Sequence, residues 1–96
     1  MARNDKGNRK RKLMTEQTAN VKGMIEYIAK SLVDSAGEVF VDEYQDGDET
    51  VIELEVAEND LGKVIGRSGR IARALRTLLS AAGSKLDKRC ALEIIE

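Results

Sequence analysis

Val21, Ile25, Ile28 and Leu32 recur at i, i+4, i+7 and i+11, the spacing of one buried helix face. They predict a helix with Asn20 as N-cap that ends at Gly37. Val39 and Val41 then alternate with Phe40, Asp42 and Tyr44, and after Asp46-Gly47 the residues Ile52, Leu54 and Val56 alternate with Glu53 and Glu55. That reads as a two-stranded hairpin. Asn59 or Asp60 is placed to cap a short helix from Leu61 to Ile65, which Gly66 stops. The next helix puts Ile71, Leu75, Leu78 and Ala82 on one face, with Ala72 and Leu79 at its edge and Gly83 at its C-terminus. Cys90, Leu92 and Ile94 alternate with Ala91, Glu93 and Ile95 as a last strand.

The order helix, strand, strand, helix, helix, strand predicts an α+β domain of two layers. A three-stranded sheet with one face covered by three helices buries every apolar stripe just named. The other sheet face then carries Glu53, Glu55 and Glu93, so it is acidic and expected to be poor in aromatics. Such a surface is unsuited to stacking bases. The 96 residues are expected to hold one domain. Residues 1–20, MARNDKGNRKRKLMTEQTAN, have no periodicity and little to bury, so a disordered basic arm is expected over 1–20 and a folded domain over 21–96.

Composition removes whole classes of chemistry. The chain has no His, no Trp and one Cys, which leaves no imidazole base, no Ser-His pair and no zinc-ligand cluster. The acidic residues lack the regular spacing of a calcium loop, and the glycines lack the spacing of a P-loop or dinucleotide fingerprint. No enzymatic activity, metal site or cofactor is expected. Cys90 reads as a small buried strand residue. No apolar run approaches a membrane span and the basic N-terminus lacks the apolar stretch of a secretory signal, so a cytoplasmic protein without a membrane partner is expected.

The formal net charge of −1 averages over opposites. Residues 1–12 hold Arg3, Lys6, Arg9, Lys10, Arg11 and Lys12, and residues 34–60 hold eleven acids without one Lys or Arg. Residues 61–86 reverse the sign, with Lys63, Arg67, Arg70, Arg73, Arg76 and Lys85 and no acid. Solubility alone explains many such blocks; the setting of the last block argues for more.

That setting is Val64-Ile65-Gly66-Arg67-Ser68-Gly69-Arg70-Ile71. Two glycines permit a tight turn that another backbone can approach, and the turn opens onto a helix N-terminus, which attracts phosphate. A bare G-x-x-G is common by chance, so the arginines carry the weight. Arg67, Arg70 and Arg73 sit where the helix dipole disfavours cations. At 100 degrees per residue, Arg70, Arg73 and Arg76 span about 120 degrees opposite the apolar face. Exposed guanidinium groups beside such a terminus suit a polyanion backbone, with a merely solvated face as the alternative. Val64, Ile65 and Ile71 flank the turn, as core residues or as the apolar edge of a binding groove.

The V-I-G-x-x-G sequence before a basic residue and an apolar helix resembles the KH domain, and the element order resembles its type II topology. The stretches MIEYIAKSLVD (Met24 to Asp34) and LGKVIGRSGRIARALRTLL (Leu61 to Leu79), with the closing strand, resemble the KhpA family of small bacterial single-KH RNA-binding proteins over about residues 21–96. The resemblance implies a clamp on about four single-stranded nucleotides. Gly66, Arg67, Ser68 and Gly69 would form the backbone-binding loop, with Lys63 and Arg70 as neighbouring phosphate contacts, beside the Arg73 and the Val64, Ile65 and Ile71 edge that the residues themselves suggest. It further implies an RNA chaperone or post-transcriptional regulator, a homodimer, a heteromer with a Jag-type KH and R3H protein, and a link to cell elongation and envelope homeostasis. Two departures stand out. The apolar residue that many KH domains carry three places after the second glycine is here Ala72. The hairpin loop Gln45-Asp46-Gly47-Asp48-Glu49 is short and acidic and should repel RNA, which predicts weak binding by one isolated copy. A protein-interaction or dimerisation module with incidental RNA contact is the alternative from another class.

Overall fold

A computed structural model describes residues 20–96; the arm expected at 1–20 lies, apart from Asn20, outside the described residues. Helix α1 spans Val21–Leu32. The Asn20 side chain caps it as expected, accepting the Gly23 N–H at 3.2 Å. The helix stops five positions before Gly37, which lies instead in a 3-10 turn at Ala36–Glu38. The cause is distant in sequence: the amides of Asp34 and Ser35 donate to the Asp60 carboxylate at 3.3 and 3.0 Å. Val33 is drawn into extended backbone and buried. The buried face of α1 is Val21, Ile25 and Ala29, with Ile28 half-buried and Leu32 exposed.

Strands β1 (Phe40–Asp46) and β2 (Glu49–Glu55) form the expected hairpin, antiparallel with Asp46 opposite Glu49. Gly47, at φ 65°, takes the positive dihedral that so tight a connection requires. Strand β3 (Arg89–Ile94) pairs parallel to β2, which is therefore central. Parallel pairing needs a long crossover. It is supplied by α2 (Leu61–Ile65), a 3-10 turn at Arg67–Gly69 and α3 (Arg70–Lys85). The element order and the two layers are those expected of a type II KH domain.

The core lies between the helices and one sheet face. Ile25, Val64 and Leu79 close over Ile52 and Leu54, all fully enclosed; burying each such side chain contributes about 1.5–3 kcal/mol. On α3 the buried residues are Ala72, Leu75, Leu79 and Gly83. This corrects the expected face by one position: Ile71 and Ala82 are half-buried and Leu78 is 50% exposed. Small residues turn inward because the helix lies close to the sheet. A Cβ built on Gly83 would stand 2.7 Å from the Cys90 sulfur. Gly83 is therefore a packing residue, and α3 continues past it to Lys85.

The other sheet face carries Glu53, Glu55 and Glu93 as expected, but it is not poor in aromatics. Because Val41 faces the core opposite Leu54, the alternating Phe40 and Tyr44 face outward, 59% and 42% exposed. The Tyr44 hydroxyl donates to Glu93 at 3.1 Å. That hydrogen bond, with lesser effects from burial, Glu53 and Asp46, raises the phenol pKa above its ordinary value. Carboxylates around these rings repel a polyanion, so the face remains unsuited to stacking bases.

Candidate nucleic-acid interface

Helix α2 is closed at its C-terminus by the Gly66 N–H, which donates to the Gly62 carbonyl at 2.8 Å. Gly66 then turns to φ 77°, ψ 170°, a region that side chains essentially exclude. Space excludes them as well: a Cβ there would stand 2.6 Å from Ile71 Cγ1 and 2.9 Å from the Ile71 nitrogen. The turn is thus laid directly on the first residues of α3. Ser68 (φ 57°, ψ 24°) and Gly69 (φ 73°, ψ 18°) follow in left-handed conformations, and the Gly69 N–H donates to the Gly66 carbonyl at 3.1 Å. Among the described residues, no side chain caps the N-terminus of α3.

Arg67, Arg70, Arg73 and Arg76 are all exposed. Among the described residues, none of them pairs with a carboxylate. Arg73 folds back over the turn, donating from Nη1 to the Ser68 carbonyl at 2.9 Å. That bond occupies one donor of a guanidinium and leaves the rest directed to solvent. An uncapped helix terminus and the cations of Arg67, Arg70 and Arg73 thus surround one glycine turn.

The other expected site residues fall differently. Val64 is fully buried among core residues, so its side chain presents no groove wall and instead anchors α2. Ile65 and Ile71 are half-buried, packed on the core with an edge left beside the turn. Ala72 is inside, which leaves Ile71 as the apolar residue against Gly66. Lys63 is not free: its ammonium lies 3.1 Å from Asp60 and 3.2 Å from Asp34. Those hydrogen bonds raise the Lys63 pKa, that to Asp60 most.

Asp60 takes a role that the sequence pattern does not predict. It stands at the expected cap position of α2 yet caps nothing there. It is 2% exposed, and its two oxygens accept from the Asp34 and Ser35 amides and from Lys63. The Ser35 amide chiefly holds the carboxyl below its ordinary pKa against the opposing effect of burial, with Lys63 and the Asp34 amide adding to it. The local signal is an acid three residues before a Lys, which also fits a surface pair.

Other chemistries find little here. Among the described residues, no group of three or more His, Cys, Asp or Glu could hold a metal ion, and no helix is long and apolar enough to cross a membrane. Cys90 is half-buried rather than enclosed, because it lies at the edge of the contact between α3 and β3. That burial still pushes its thiol pKa up, away from the reactive thiolate.

Comparison with known proteins gives a concordant result. The family model described as KhpA/KhpB, KH domain, matches residues 22–94. The RNA-binding protein KhpA of Aquifex aeolicus is 53% identical over 76 residues, covering 79% of this chain and 96% of that protein. The proteins of the same name from Borreliella burgdorferi and Treponema pallidum are 49% and 53% identical, covering 76% of this chain and 89% and 91% of theirs. Among solved structures, an Era variant from Aquifex aeolicus bound to GDP.AlF4 is 16% identical over 77% of this chain and 29% of its own, at a TM-score of 0.53; that likeness is one of fold. With the sheet, the glycine turn and the helices, save the first residue of α1, inside the matched span, the chain belongs to the KhpA/KhpB KH-domain family.

Proposed function

We propose that the chain is a single-stranded RNA-binding protein, without enzymatic activity, that holds the sugar-phosphate backbone at the Gly66 to Gly69 turn. One observation carries the reading: an uncapped helix N-terminus opens behind two glycines with positive φ, and Arg67, Arg70 and Arg73 stand around it unpaired with acid among the described residues. Phosphate oxygens suit both the amides and the guanidinium forks. Relatives at about half identity are named RNA-binding proteins, which supports the same ligand. Ile65 and Ile71 offer bases an apolar edge. The acidic hairpin loop around Asp46 and Asp48 is exposed, so affinity rests on the turn and is modest for one copy.

The family resemblance extends the proposal to an RNA chaperone or post-transcriptional regulator in the cytoplasm, acting as a homodimer or with a Jag-type KH and R3H partner, in cell elongation and envelope homeostasis. A second reading has one observation in its favour: Leu78, half exposed on α3, is an apolar residue the fold leaves to solvent, as a protein-interaction module would. Replacing Arg67→Asp together with Ser68→Asp keeps both glycines and separates the two. Loss of RNA affinity with fold and self-association intact supports the turn as anchor; unchanged RNA affinity favours the interaction module.

A further inference from the structure

Helix α2 has five residues, far too few to hold its own conformation in water. Its orientation, and that of the turn it leads into, must come from tertiary ties. Val64 supplies one, inside the core. The second is polar. The Asp60 carboxylate, shielded from solvent, takes the amides of Asp34 and Ser35 from the loop after α1 and the ammonium of Lys63 from α2. One side chain thereby fastens the start of α2 to a loop 25 and 26 residues away in sequence, just ahead of the Gly66 turn.

Charge alone argues against acid here. Asp60 and Asp34 together outweigh the one cation of α2, Lys63, beside a site that should attract phosphate, a net loss for binding a polyanion. Solubility does not explain an acid that is 2% exposed, and helix capping does not explain one that caps nothing. We propose that Asp60 is a positioning residue for the Gly66 to Gly69 turn, acting through Lys63 and the Ser35 amide; this deepens the RNA-binding reading above and rests on it. Lys63 is then the link between buried acid and turn, with its phosphate-contacting role secondary.

Asp60→Asn tests this by sign. The amide nearly matches the carboxylate in shape but has one acceptor oxygen, and its NH2 would face a backbone donor or Lys63. A charge effect alone strengthens RNA binding when the acid is removed. Positioning weakens it, by about tenfold, the change that corresponds to one missing charged hydrogen bond. The measurement is fluorescence anisotropy of a labelled single-stranded oligoribonucleotide of mixed sequence with the full chain, under conditions where circular dichroism shows both proteins folded. Weaker binding by D60N supports the proposal; unchanged or tighter binding overturns it. The R67D/S68D variant is run alongside. If it too leaves affinity unchanged, the RNA-binding reading has failed and positioning falls with it; if it abolishes binding while D60N does not weaken it, positioning alone is overturned. Should D60N not fold, Lys63→Met removes the ammonium that ties α2 to Asp60 and Asp34 and leaves the Asp60 carboxylate on the Asp34 and Ser35 amides. Amide exchange at Gly66 and Gly69 is then expected to quicken about tenfold with β2 amides unchanged, and unaltered exchange overturns the proposal.

Discussion

Replacing Gly66 and Gly69 by alanine, one at a time, separates the two demands that the turn makes on its glycines. At Gly66 both conformation and space are against a side chain. The φ 77°, ψ 170° backbone costs a non-glycine residue about 1–3 kcal/mol. The methyl group would also meet Ile71 at 2.6 Å on Cγ1 and 2.9 Å on its nitrogen, and relieving such overpacking costs about 1–3 kcal/mol more. The flexible side-chain atom can move; the backbone nitrogen cannot without shifting the start of α3. At Gly69 the conformation is ordinary left-handed, φ 73° and ψ 18°, worth about 1–2 kcal/mol against alanine. The added carbon there would meet only Arg73 Nη1 at 3.6 Å, an ordinary approach. Gly66→Ala should therefore cost about 2–6 kcal/mol, of a total stability of about 4–12 kcal/mol for a domain this size. Urea unfolding measures both. With a slope near 1 kcal/mol per M, Gly69→Ala should lower the midpoint by about 1–2 M and Gly66→Ala by at least about 2 M. Equal shifts, or a larger one for Gly69, would refute the steric reasoning at Ile71.

The close approach of α3 to β3 makes a similar prediction. Gly83→Ala should destabilise the fold by up to about 2 kcal/mol, the overpacking less about 1 kcal/mol of better helix propensity, because its Cβ meets Cys90 at 2.7 Å and the Lys88 carbonyl at 3.0 Å. In that background Cys90→Ala should cost less than it does in the native chain, and additive effects of the two substitutions on unfolding free energy would contradict the contact. Removing residues 1–12, with their six basic groups, should make the salt dependence of RNA binding shallower by about 0.7 for each phosphate that the arm neutralises. An unaltered slope would assign the arm to solubility.

Element order is legible in the sequence because each apolar stripe is periodic and each turn has its glycine or cap: Asn20, Asp46-Gly47 and Gly66 all act where local chemistry puts them. What the periodicity misses is decided by contacts distant in sequence. The end of α1 moves from Gly37 to Leu32 because a carboxylate on a later loop takes the Asp34 and Ser35 amides. The face of α3 rotates because Ala72 and Gly83 let the helix lie close to the sheet. A hydrophobic pattern counts large residues and overlooks small ones. Ala29 in place of Leu32 on α1 is the same effect. At the turn, the exposure of the arginines follows from their angular spread, whereas the enclosure of Val64 and the pairing of Lys63 need the third dimension. Asp60 is hidden by its position, where an acid before a short helix already has a local explanation.

RNA affinity as a function of salt, for the native chain and for R67D/S68D, measures most directly whether the turn is the anchor. Three to four neutralised phosphates, matched by Arg67, Arg70, Arg73 and in part Lys63, give a slope of log affinity on log salt of about −2 to −3 for a single strand. The variant should bind at least about tenfold more weakly, with a slope shallower by about 0.7 or more. Equal affinity and equal slope in the two proteins would place the RNA elsewhere on the molecule.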